Sequence, residues 1–173
     1  MACSDVFRLA FFTGALAETN DYQEYIDFAQ RGGYSAEALT AFDKGVEAGL
    51  MGTDANVEAQ KKLRAKLAAE VEQDKKTAAA DAANALKKPN GVAMVNLGYS
   101  LVGQGQFDKG IELLEKGIAK GLPKRPEDAR LHLAIAQVLA GQTDKAKQTF
   151  ATVSGSGGMD DLVRYWLLAI RKP

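Results

Sequence analysis

The phrase GYSAEALTAFDKGVEAGL starts at Gly33, and GQFDKGIELLEKGIAKGL starts at Gly105. They align without gaps at an offset of 72 residues, with Leu39 on Ile111, Phe42 on Leu114, Lys44 on Lys116, Gly45 on Gly117, Gly49 on Gly121 and Leu50 on Leu122. Half that distance beyond the second copy, at Gly141, a third begins as GQTDKAKQTFATV. There Asp108-Lys109 becomes Asp144-Lys145, Gly110 becomes Ala146 and Leu114 becomes Phe150. The period is therefore about 36 residues, which marks units that cannot bury an apolar face alone and must stack on their neighbours.

Each phrase reads as the second helix of a hairpin. Ile111, Leu114 and Ile118 fall on one helical face. Ser35, Asp108 and Asp144 stand near the helix starts, where they can satisfy free backbone N–H groups. Gly49 and Gly121, each followed by leucine, suit a left-handed C-terminal stop, and Pro123 and Pro126 forbid continuation. The first helices lie upstream, in VAMVNLGYSLVG from Val92 and DARLHLAIAQVLAG from Asp128, again 36 residues apart. Small residues at Gly98, Ala134, Gly110 and Ala146 permit close helix approach. DYQEYIDFAQRGG, from Asp21, supplies the corresponding helix of the first copy through Tyr22, Tyr25 and Ala29.

Residues 54–88 contain no Gly or Pro and are rich in Ala, Lys and Glu, all strong helix formers. Their length suits a degenerate hairpin breaking near Gln73-Asp74, with Glu58–Lys62 and Glu72–Lys76 as supporting pairs. A single long helix is the alternative. At the end of the chain Met159, Leu162, Val163, Trp166, Leu167 and Ile170 make one broad apolar face, with Asp160 and Asp161 at the helix start and Arg171 and Lys172 at its end. Such a helix would cap the last open face of a stack.

The pattern resembles the tetratricopeptide repeat, whose hairpin runs aromatic, Leu-Gly, Tyr, then Ala, Phe and Pro. Here one copy reads Met94, Leu97, Gly98, Leu101, Gly110, Leu114, Pro123, and the next Arg130, Leu133, Ala134, Gln137, Ala146, Phe150. Side-chain sizes agree better than identities, and the tryptophan is missing. The resemblance covers residues 21–49 and 91–153. It implies an all-α solenoid of stacked antiparallel hairpins, about ten helices in a single domain over residues 1–173. Repeats are expected near 19–52, 54–88, 91–124 and 127–155, with an N-terminal capping helix and a C-terminal one over 159–171.

Lys plus Arg and Asp plus Glu number 22 each, so the net charge is zero. That balance argues against sequence-independent binding to nucleic acid, which needs a basic excess. The apolar run from Val6 to Ala17 ends in a small-x-small sequence like a signal cleavage site. Asp5 precedes it, Arg8 interrupts it and no basic residue leads it. It is too short to span a bilayer and reads as a buried helix with Asp5 favourable at its start. One cysteine, Cys3, and one histidine, His132, leave no zinc-ligand cluster and no nucleophile–histidine arrangement beyond His132 itself. His132 reads as a packed or surface residue. SGSGG, from Ser154, follows a helix and lacks the Lys-Ser/Thr of a phosphate loop. No cofactor or metal is implied, and no enzyme.

In the repeat family the first helices line a concave groove that takes a peptide. The equivalent places here are Val95, Tyr99 and Val102, then Leu131, Ile135, Val138 and Leu139. They are apolar, which argues against a grip on a peptide carboxylate. They form either a groove for a partner's helix or part of the core, covered by the chain's own N-terminal helix with Phe7, Phe11 and Phe12. Tyr22, Gln23, Asp27, Gln30 and Arg31 would make a wetter surface. The family resemblance implies a non-catalytic protein- or peptide-binding scaffold. A homo-oligomerisation module, as a homodimer, and an accessory domain of a bacterial envelope complex are the alternatives. The style of repeat suggests a bacterial chain, in cytoplasm or periplasm.

Overall fold

A computed structural model describes residues 3–52 and 56–171. Asp54 and Lys172, invoked above, lie outside that set. Among the described residues there are nine helices and no strand: α1 (Cys3–Thr13), α2 (Thr19–Arg31), α3 (Ser35–Glu47), α4 (Val57–Lys87), α5 (Val92–Gly103), α6 (Phe107–Lys120), α7 (Pro126–Leu139), α8 (Thr143–Phe150) and α9 (Met159–Ala169). The fold is an all-α repeat of helical hairpins, as the period requires. Contacts gather it into two compact units, one ending at Lys76 and the other starting at Thr77, so α4 gives its first part to one and its remainder to the other.

Three hairpins turn in the same way. Gly33, Gly105 and Gly141 hold φ of 76°, 77° and 73°. The following N–H groups, of Tyr34, Gln106 and Gln142, donate back to Ala29, Leu101 and Gln137 at 2.9, 2.9 and 2.8 Å. A left-handed residue that closes such a six-residue loop is a glycine's place, since a Cβ would strain it. The anticipated side-chain caps do not form: α3, α6 and α8 have no side-chain cap hydrogen bond. The cap positions fall instead on Tyr34, Gln106 and Gln142, directly after the turn glycines. Asp108 and Asp144 sit two residues past the cap positions, where they still suit the helix dipole. Ser35 is spent elsewhere, its Oγ donating to Glu70 Oε2 at 2.9 Å.

The second-helix ends also divide. Gly49 is left-handed, and the Leu50 N–H returns to the Gly45 carbonyl at 2.9 Å, as expected. Gly121 also has positive φ, 95°, but its ψ of 143° takes it out of the left-handed helical turn, and its carbonyl accepts from the Gly91 N–H at 2.9 Å.

The hairpin expected over 54–88 is instead the 31-residue helix α4, unbroken at Gln73-Asp74. With neither Gly nor Pro between 57 and 87, nothing in the sequence ends it. Glu58 and Glu72 pair at i,i+3, with Lys61 and Lys75, rather than with Lys62 and Lys76, and Lys66 pairs with Glu70 at i,i+4. Gln60, Leu67 and Val71 are buried along one stripe. In the N-terminal unit Arg64 reaches both Asp43 oxygens at 2.7 and 3.1 Å, and the Gly52 N–H donates to Gln60 Oε1.

The core of the N-terminal unit contains Tyr22, Tyr25, Ile26, Ala29, Ala38, Phe42, Met51 and Leu67. In the C-terminal unit Met159, Leu162, Val163 and Trp166 of α9 are buried, with the Trp166 ring 6.2 Å from Phe150. Leu167 and Ile170 are half-buried, while Tyr165 and Leu168 face out.

Candidate functional site

The inner-face residues predicted on α5 and α7 are mostly buried. Val95, Tyr99 and Val102 expose 6, 4 and 3 % of their surface, and Leu131 and Ile135 expose 0 and 1 %. Val138 is half-buried and Leu139 is exposed. Two of these side chains fill the hairpin seam. A Cβ placed at Gly117 would lie 2.8 Å from Val95 Cγ2, and one at Gly110 would lie 2.6 Å from Val102 Cγ2. Val95 and Val102 therefore lie on the backbone of α6. Tyr99 turns toward the next hairpin and stacks on His132 at 4.5 Å between centroids, tilted by 27°. The structure thus joins Tyr99 to α7 and turns Val95 and Val102 toward α6. On the same two helices Val92, Asn96 and Leu139 are exposed, with Ser100 and His132 half-buried.

The aromatic N-terminal helix covers a face of α2. The Phe7 ring lies 6.3 Å from Tyr25 and 5.5 Å from Phe28, and Phe11 lies 5.3 Å from Tyr25 and 6.5 Å from Tyr22. Such offset and edge contacts suit rings with a negative face and positive rim. Of the polar set, Gln23, Asp27 and Arg31 are exposed and Gln30 half-buried, whereas Tyr22 is core.

A buried ionic cluster lies under α1. Asp5 and Arg8 expose 1 and 4 % of their side chains. Arg8 Nη1 donates to Asp5 Oδ1 at 2.5 Å, while its Nε and Nη2 donate to Glu37 Oε1 and Oε2 at 2.6 and 2.9 Å. The Tyr25 hydroxyl donates to the same Glu37 Oε1 at 2.6 Å, and the Arg8 guanidinium lies 5.2 Å from the centre of the Tyr34 ring. Burial pushes the Tyr34 phenol above its usual range, against the pull of the Arg8 charge. Arg8 is therefore no interruption of the apolar run. A buried guanidinium needs partners on every side, and the sequence signals it only as a cation among Phe and Leu, with nothing to point to Glu37 29 residues away.

Among the described residues no three metal-ligating side chains gather, and no helix is long and apolar enough to cross a membrane. The family model described as tetratricopeptide repeat matches residues 101–168, from the end of α5 through most of α9. No curated protein and no solved structure matched the chain.

Proposed function

We propose, from the match of residues 101–168 to the tetratricopeptide-repeat family model, that the chain is a non-catalytic scaffold that binds a protein or peptide. The observation that carries this reading is the family match running from the end of α5 through α6, α7 and α8 into α9. Fold alone does not fix function, so the binding surface has to be argued from side chains.

We place the contact on the α5–α7 side of the C-terminal unit. Its buried members, Val95, Tyr99, Val102, Leu131 and Ile135, hold the two helices in place, and its accessible members, Val92, Asn96, His132, Val138 and Leu139, meet the partner. Apolar and amide groups in that mixture suit a peptide with alternating apolar and polar side chains better than a bare carboxylate, for which no lysine or arginine stands among them.

The test is capture of a partner from native lysate by the wild-type chain and by an Asn96→Arg, Leu139→Glu variant. Both changes fall on exposed positions, so the circular dichroism of the variant should match wild type. Loss of the captured partner supports the assignment. Undiminished capture by a folded variant moves the surface elsewhere.

A further inference from the structure

The contact between α1 and the first hairpin has the makeup of a ligand in a site. The hairpin supplies a carboxylate, Glu37, whose two oxygens take the two N–H edges of one guanidinium. It supplies a hydroxyl, from Tyr25, that fixes Oε1 of that carboxylate. It also supplies the Tyr34 ring beside the guanidinium, and the Tyr25 and Phe28 rings against Phe7. The helix supplies Arg8 between Phe7 and Phe11, with Asp5 one turn earlier to complete the guanidinium's partners. Arg8 is buried and Glu37 largely so, at 4 and 12 % side-chain exposure.

A wholly apolar helix could cover the same rings. It would leave Glu37 buried against no cation, and a lysine would meet the two oxygens with a point charge instead of a fork. An ion pair of this kind adds little stability over apolar side chains of the same shape. It discriminates between occupants, because the wrong one strands a charge. The tether is short: α1 ends at Thr13, Gly14 is left-handed, and residues 15–17 carry no helix before α2.

We propose that the face of α2–α3 formed by Tyr25, Phe28, Tyr34 and Glu37 is a recognition site for an amphipathic helix bearing an arginine between two aromatic residues, and that α1 holds this site in cis. The proposal rests on the reading of the chain as a peptide-binding scaffold and names the chemistry of one partner class. A helix of the same chemistry from another protein competes with α1, and the tether's high local concentration sets the threshold it must pass.

The probe is a fluorescently labelled peptide with the sequence of residues 3–17, titrated by anisotropy against the full chain. The wild-type chain should bind it weakly, since its own α1 occupies the site. The Arg8→Gln chain should bind it about tenfold more tightly or better, as the competent fraction rises. The Arg8→Gln, Glu37→Gln chain should lose that gain, and a peptide carrying Arg8→Lys should bind the Arg8→Gln chain more weakly than the wild-type peptide. A folded Arg8→Gln chain that gains nothing over wild type overturns the proposal.

Should Arg8→Gln fail to fold, a protease site inserted between the exposed Gly14 and Ala15 of the otherwise wild-type chain replaces it. After cleavage, exchange of the severed α1 for labelled peptide supports the proposal, and retention without exchange overturns it. The α5–α7 capture experiment does not involve these residues. Failure here with partner capture intact removes only the α1 site, and the converse removes only the α5–α7 surface.

Discussion

Hairpins α2–α3 and α5–α6 repeat the same phrase and bury it differently. In α5–α6 the helices meet backbone to backbone. A Cβ at Gly98 would fall 2.7 Å from the Gly110 carbonyl oxygen and 2.9 Å from the Leu114 nitrogen, and one at Gly91 would fall 1.7 Å from the Gly117 carbonyl oxygen. In α2–α3 the place of Gly98 is taken by Ile26, that of Gly110 by Ala38, and both are fully buried. The glycine the two share behaves differently too. Gly117 faces the Val95 side chain together with the Gly91 and Val95 backbone, whereas Gly45 faces only the side chains of Met51 and Tyr22 at its nearest contacts. One hairpin is thus closed by removing side chains and the other by interposing large ones, with a charged cluster under α1 added to the second. The repeat dictates the hairpin and its turn, and the residues at the crossing dictate how it closes.

That contrast can be broken or sharpened by five sets of substitutions. Arg8→Met strands Asp5 and Glu37 together, which should cost about 3–5 kcal/mol of the contact between α1 and the first hairpin. Hydrogen exchange should show protection lost across residues 3–13 and kept in α5 and α6. Gly98→Ala should cost about 2–3 kcal/mol, since the atoms it meets are backbone and cannot move aside. Urea unfolding followed by fluorescence of Trp166, the single tryptophan, reads this, and a neutral result would deny the backbone contact. Ala134→Gly, at the equivalent place of the next hairpin, should cost only about 0.5–1 kcal/mol.

Gly33→Ala and Gly105→Ala test what the two hairpins share. Both glycines are left-handed with open space around them, so each substitution should cost about 1–2 kcal/mol by conformation alone, and equally. Thermal melts by circular dichroism would show whether the two differ. Smallest of all, Asp108→Ala and Asp144→Ala should stay within about 0.5 kcal/mol, because neither carboxylate caps its helix. A larger loss from either would restore the capping role that the sequence suggests.

What the sequence made legible follows from which interactions are local. The turns at Gly33, Gly105 and Gly141 and the apolar face of α9 are set by residues within a few positions of one another, and spacing alone reveals them. The length of α4 was also present, as an absence of Gly and Pro, but the period of about 36 argued for a hairpin there and outweighed it. Glu37 pairs with Arg8 across 29 residues, a distance that no local pattern encodes. The stripe from Val95 to Val138 was legible as apolar, yet periodicity cannot tell a groove from a seam. Burial of Val95 and Val102 depends on how near α6 comes, which is decided by glycines on the opposite helix.

The three turns have one further consequence. Each closes on atoms of its own hairpin, Gln106 onto Leu101 and Gln142 onto Gln137. The stretch from Gly105 to Ala140 therefore begins at one closure and stops short of an equivalent one. Unequal recombination at these glycines would insert or remove such a stretch and leave an intact turn at the joint. Chain length in a protein built this way is then a quantity inheritance can alter in whole steps, without inventing a new connection each time.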